Sequence, residues 1–222
     1  MDAARLNAIV YAGRGKAALR IGTAFTICRP NQPANPLANT IATIPAAFSP
    51  NGKYTTPNLY GHPIWFADLD GALVNVGDYL VSTDGTQTYF VGAKQSLLPI
   101  VAIECNTSLR LSRTIAASGI GALPYSGQSD ATSDAVDPMG QKSPFVGWPC
   151  SVLIGKGAER FANAVPSSPK TSPGWQILLP ASVPVAITLA DRFFDATGRV
   201  FDVVQAEQTD MGWRISASEM HA

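Results

Sequence analysis

Gly77–Asn106, GDYLVSTDGTQTYFVGAKQSLLPIVAIECN, decides the fold. Tyr79-Leu80-Val81 lead into Asp84-Gly85, and Thr88–Val91 lead out. Asp-Gly between two β-rich runs is a strong hairpin signal, because glycine takes positive φ without a steric penalty. Leu98–Cys105 then forms a nearly continuous apolar run with Pro99 at its start, where a missing N–H does least harm. Such a run predicts a third strand, buried on both faces.

The pattern returns near the C-terminus. Ala190–Val203, ADRFFDATGRVFDV, predicts a second hairpin. Asp78 and Asp191 each stand seven residues before a turn glycine, Gly85 and Gly198. Tyr89-Phe90-Val91 follows the first turn and Phe201-Asp202-Val203 the second, with one residue deleted. Apolar strands close both stretches, Ile100–Cys105 and Trp213–Ile215. This is the pattern of a degenerate internal duplication of a small three-stranded unit; the alternative is that two hairpins sharing a turn type resemble each other. Gly85, Gly198 and Asp84 are the residues expected to set the turns.

Composition narrows the class. The chain has 222 residues, of which 46% are hydrophobic and 14% charged, with sixteen basic and sixteen acidic side chains. That charge content is well below the roughly 25% usual in globular proteins, and suits a subunit packed against others. Net neutrality argues against nucleic-acid binding as the main task, since phosphate neutralisation needs clustered Lys and Arg. Three cysteines, Cys28, Cys105 and Cys150, lack C-x-x-C spacing, which points to buried thiols in a reducing compartment. The first fifteen residues do not read as a secretory signal, and no apolar run is long enough to span a membrane.

Residues 2–22 predict a helix capped by Asp2, with Gly13 and Gly15 expected to interrupt it. Its basic residues Arg14, Lys16 and Arg20 are candidate contacts for DNA or a portal, set against the plainer role of a solvated helix face. Residues 29–60 carry six prolines and predict an extended arm without central strands. Residues 117–144 and 156–174 predict loops. The fold class expected is mainly β: two small barrel- or sandwich-like units with a short N-terminal helix and long Pro-rich arms and loops. The divisions expected are 1–60 (helix and arm), 61–116 (first β unit), 117–144 (loop or linker) and 145–222 (second β unit).

No catalytic set, cofactor site or metal site emerges. His62, between Gly61 and Pro63, is the one internal histidine, so no Ser-His-Asp or Cys-His arrangement can be built, and it reads as a packing residue. Gly13-Arg14-Gly15-Lys16 and Gly155-Lys156-Gly157 lack the phosphate-loop spacing. Gly119-Ile120-Gly121 is followed by Pro124 where a dinucleotide-binding helix should run. Asp130, Asp134 and Asp137 lack calcium-loop spacing. Asp68 and Asp70 could act as paired carboxylates of a glycan hydrolase, but turn formation at Asp70-Gly71 is the simpler role.

GHPIWF (61–66), the Gly77–Asn106 stretch, GWPCSVLIGKGAER (147–160), WQILLP (175–180) and DRFFDATGRVFDVVQAEQTDMGWRISA (191–217) together resemble a group of tailed-bacteriophage structural proteins. The last block, with D-x-x-G-R-x-[FY]-x-V and then G-W-R, also resembles the β-barrel of head–tail adaptor, stopper and tail-completion proteins. The resemblance implies a non-enzymatic virion subunit of the neck or tail, assembled in the host cytoplasm. It further implies a homo-oligomeric ring, six- or twelve-fold, contacting other neck, tail or portal proteins. DNA would pass without sequence-specific recognition, and no membrane or cofactor would be involved. The chain is longer than a simple stopper. A receptor-binding or baseplate protein using Tyr60, His62 and Trp65, or a capsid-decoration protein, is the alternative.

Overall fold

The computed structural model describes residues 2–52, 54–55, 57–115, 127–130, 147–155, 174–189 and 191–220. Helix α1, Ala3–Ile21, is capped by Asp2, whose Oδ1 accepts from Ala4 N at 3.4 Å. Six strands follow: β1 Thr23–Cys28, β2 Thr40–Ser49, β3 Ile64–Asp68, β4 Tyr79–Ser82, β5 Thr88–Ala93 and β6 Ile100–Glu104. They pair antiparallel in the order β1-β2-β3-β6-β5-β4, and β4 pairs back onto β1 to close a barrel.

The remaining strands are β7 Thr107–Ile115, β8 Gly127–Asp130, β9 Trp148–Ile154, β10 Gly174–Leu179, β11 Arg192–Asp195, β12 Val200–Thr209 and β13 Gly212–Met220. Their sheet runs β11-β12-β13-β10-β9-β7-β8, and β11 also pairs with β7. That pairing closes a second six-stranded barrel, leaving β8 as a spur on β7. With β8 set aside, the six strands follow the first barrel's order: first-second-third-sixth-fifth-fourth.

The two barrels correspond residue by residue. Cys28 faces Tyr79 and Ser112 faces Arg192 in the ladders that close each barrel. One step further, Arg29 reaches Asp78 and Arg113 reaches Asp191. Arg29 bonds the Asp78 carboxylate through Nε (2.9 Å) and a terminal nitrogen (2.8 Å), while Arg113 bonds Asp191 at 2.7 and 2.8 Å. Each arginine also donates to a carbonyl five residues before its aspartate, Leu73 O or Ala186 O. Each aspartate accepts at 2.8 Å from the backbone N–H three residues earlier, Asn75 or Thr188. The ion pair therefore pins the segment joining the third and fourth strands across one end of each barrel. Both fifth strands carry a bulge at matching places, after Val91 and after Val203. Each of the twelve residues enclosed in the first barrel has a buried counterpart in the second. Leu80 matches Phe193, Tyr89 matches Phe201, Val91 matches Val203, and Ile100 matches Ile215. Size is redistributed, with Phe25 against Leu109 and Ile44 against Trp148. The expected repeat is thus present but twice as large, six strands per unit instead of three, and it extends to side-chain contacts.

Several boundaries differ from those read in the sequence. The first barrel begins at Thr23 and the second at Thr107, so the units are 23–104 and 107–220, separated by Cys105-Asn106. β1 and β2 lie within 1–60, and β2 runs through Pro45 in a stretch expected to hold no central strand. β3 pairs only with Ala47–Ser49, so Pro45 sits where β2 has β1 alone as neighbour, an edge-like position that proline tolerates. The loop 30–39 lies over the second barrel: Pro33 O accepts from Trp148 Nε1 at 2.8 Å, and Leu37 packs on the second core. Helix α1 is continuous through Gly13 and Gly15. The roughly 1 kcal/mol that a mid-helix glycine costs is offset by docking at Tyr11 and Ala18 and by Arg14, which clamps the turn between the two glycines to Asp68. Most of 117–144 and of 156–174, both expected to be loops, lies outside the described residues; 127–130 forms β8 and Gly174 opens β10.

The barrels share a core. Tyr79, Phe90, Ile103 and Cys28 project from the first barrel into the hydrophobic cluster of the second. This explains why β6 is apolar on both sides: Ile100 and Ala102 face the interior, and Ile103 faces the neighbouring barrel. Tyr79 Oη donates to Pro149 O at 2.8 Å, fully buried, and its ring stands edge-on to Trp148 at 6.2 Å. The Asn106 side chain donates to Val152 O and accepts from Val152 N, holding the two-residue joint rigidly against β9.

Candidate functional site

Among the basic residues read from the sequence, the fold separates Arg14 from Lys16 and Arg20. Arg14 bonds Asp68 at 2.5 Å, and Tyr54 Oη donates to the other oxygen of Asp68 at 2.8 Å. Arg14 is thereby committed within the chain. Desolvation and the adjoining carboxylate together push the Tyr54 hydroxyl well above its ordinary range. Lys16 and Arg20 are exposed, and so are Arg5 and Ile9. At ~100° per residue these four fall within an arc of about 60° and span about 22 Å. No acidic residue lies in α1. The outward face of the helix is therefore a basic stripe. Arg5, basic like the others but not among the candidate contacts read from the sequence, belongs to it.

Gly85 and Gly198 have φ of 72° and 87°. Asp84 Oδ1 accepts from Ser82 Oγ (2.6 Å), Thr86 N and Thr86 Oγ1, and these bonds hold its carboxyl below the usual range. In the second turn Asp195 plays the corresponding part, accepting from Thr197 and Arg199. Asp68 and Asp70 do not converge: Asp70 caps its own turn through Ala72 N at 3.0 Å, while Asp68 is held by Arg14 and Tyr54. Among the described residues no group of three or more His, Cys, Asp or Glu side chains is placed to hold a metal ion.

Two cavities formed by described residues bear on the candidate site. A cleft of about 530 Å³ lies between the barrels, with Ile64, Leu178, Met211 and Trp213 on its apolar walls and His62, Glu207 and Arg214 among its polar residues. Glu207 and Arg214 form an exposed ion pair at 2.9 Å across the β12–β13 hairpin. A smaller cavity of about 260 Å³ opens at the end of the first barrel, where Trp65, Tyr89, Phe48 and Tyr54 meet the end of α1 at Ile21–Thr23. His62 and Trp65 thus serve different cavities. Tyr60, beside His62, is fully exposed. No protein-family model matches the chain, and no curated protein or solved structure compared with it does either.

Proposed function

We propose that this protein is a non-enzymatic structural subunit of a tailed-bacteriophage virion, a ring-forming neck or tail protein that helps to line the DNA passage. The observation that carries the reading is the tandem pair of barrels with one topology, locked by a shared core and a two-residue joint. Six such chains present twelve barrels of one topology, which suits a position between rings of six-fold and twelve-fold order. Heterologous contacts around a closed ring leave no interface unpaired. The low charge content and the exposed Leu19, Ile21, Leu59 and Ile154 suit a subunit that packs against neighbours. Arg5, Lys16 and Arg20 provide sequence-independent phosphate or acidic-partner contacts.

The test is the copy number of the chain in purified particles, by quantitative mass spectrometry against the portal. About six or twelve copies per particle is the expected result for a cyclic ring. Three copies, or a fibre-like multiple of three, would favour the receptor-binding reading, for which the fully exposed Tyr60 beside the interbarrel cleft is the supporting feature. Hundreds of copies would indicate capsid decoration. Absence from the particle would refute the structural role.

A further inference from the structure

The repeat supplies its own control experiment. In the second barrel the ring pair Trp175 and Phe201 stands edge-to-face at 5.6 Å, and the Arg199 guanidinium lies over both rings, 5.1 Å from the first centroid and 5.3 Å from the second. Asp195 holds that guanidinium through Nε at 2.7 Å. The first barrel repeats the ring pair as Trp65 and Tyr89, again edge-to-face, at 6.4 Å. The ladders match Trp65, facing Ala102, to Trp175, facing Ala217. The residue two before Tyr89 is Gln87, where the second barrel has Arg199 two before Phe201. Gln87 thus stands in the first barrel where the second has its cation, and the cavity of about 260 Å³ lies there, lined by Trp65, Tyr89, Gln87, Phe48 and Tyr54.

The surroundings favour a cation. Phe48, where the second barrel has Val152, stacks on Tyr89 at 4.0 Å; it covers one face of Tyr89 and adds its own ring to the cavity wall. Trp65 Nε1 donates to Glu104 Oε2 at 2.8 Å, so a carboxylate at the edge of the indole enriches its ring. The cavity also abuts Ile21 and Gly22, the C-terminal end of a 19-residue helix, where the macrodipole attracts positive charge. Aromatic faces with a nearby anion form a recognised cation-binding arrangement.

We infer that the open end of the first barrel is an aromatic cage for a guanidinium group, filled by an arginine side chain from a partner protein where the second barrel fills its own with Arg199. This inference rests on the repeat and not on the virion role, so either can fail alone.

The test uses the full chain and the peptide acetyl-Gly-Arg-Gly-amide. The chain has four tryptophans, hence four indole N–H signals in a ¹H–¹⁵N spectrum; the Trp65 signal is the one lost in Trp65→Phe. The arginine peptide is expected to move the Trp65 signal saturably, while the citrulline peptide, isosteric but uncharged, leaves it in place. Gln87 is exposed, so Gln87→Arg can be made without disturbing the core. That variant rebuilds the internal cation and is expected to weaken peptide binding at least about tenfold. Ser82→Asp with Gln87→Arg, which also restores the Asp195 counterpart, should weaken it further. No shift with the arginine peptide, an equal shift with citrulline, or undiminished binding by the double variant would each overturn the assignment.

Discussion

Replacing Arg113 by methionine removes the ion pair and keeps most of the side chain's aliphatic volume. Asp191 is 1% exposed, and in the variant it keeps only Thr188 N at 2.8 Å and Thr188 Oγ1 at 3.2 Å as donors among those described. Stranding a carboxylate of a fully buried pair costs about 3–5 kcal/mol. The Arg113 side chain is 39% exposed, so water can replace part of what is lost, and the expected cost falls to about 2–3 kcal/mol. At roughly 2–4 °C per kcal/mol for a chain of this size, the melting temperature should fall by about 5–10 °C. Arg29→Met in the first barrel should behave alike, because Asp78 is 2% exposed and held in the same way. Adding Asp191→Asn to Arg113→Met neutralises the stranded charge and should recover about 1 kcal/mol or more. Arg214→Met, from a pair whose side chains are 62% and 48% exposed, serves as reference and should cost less than about 1 kcal/mol. Urea unfolding followed by tryptophan fluorescence and circular dichroism reads all of these. If Arg113→Met proved as mild as Arg214→Met, or if the double variant were no better than the single, the ion pairs would not be what anchors the barrel ends.

Gly198→Val and Gly85→Val should each cost about 1–3 kcal/mol in a thermal or urea melt. At both sites a Cβ meets nothing within 4 Å, so the loss is conformational and Asn should be the mildest replacement. Burial raises the Asp195 pKa, but bonds from Thr197 and Arg199 outweigh it and hold the net value below the ordinary one. A carboxyl depressed in the folded state contributes stability above its unfolded pKa and loses it as pH falls through the folded value. The urea midpoint should therefore drop as pH falls below about 4, and Asp195→Asn should flatten that drop. Desolvation raises the thiol pKa of Cys28, Cys105 and Cys150. At pH 8 a disulfide reagent should therefore label the native protein slowly, and all three thiols rapidly once urea unfolds it.

Much of this architecture is legible where local chemistry sets it. Asp84-Gly85 and Gly198 mark their turns because positive φ is a single-residue requirement, and β6 announces its double burial through a nearly continuous apolar run. The start of the first barrel is not legible, because TIATIPAAFS (40–49) looks like an arm until β1 and β3 are known to flank it. The repeat shows only in its second half. Matching residues lie 84 apart at the first strands (Phe25 and Leu109) but 115 apart at the last (Ile100 and Ile215), since the intervening connections differ in length. No fixed period exists to detect. The anchoring ion pairs join residues 49 and 78 apart, and nothing local links Arg29 to Asp78 or Arg113 to Asp191. For the helix, pattern alone placed Lys16 and Arg20 together, whereas Arg14 needed the barrel wall and Asp68 before its role could be read.

The two-residue joint has a consequence for how the chain reaches this state. Two barrels of one topology on one chain invite strand exchange during folding, in which a strand of one unit pairs into the vacancy of the other, a known failure of tandem domains. Backbone register would not prevent it, because both closing ladders match. The interiors would. A β2 strand placed in the second barrel would bring Ile44 where Trp148 belongs and leave a void. A β10 strand placed in the first would drive Ile177 into the space of Ala67. Losses of several kcal/mol for such cavities and comparable strain for such overfilling make the swapped products poor competitors. Unequal side-chain sizes at equivalent positions thus act as a proofreading code, keeping each half of the chain with its own barrel.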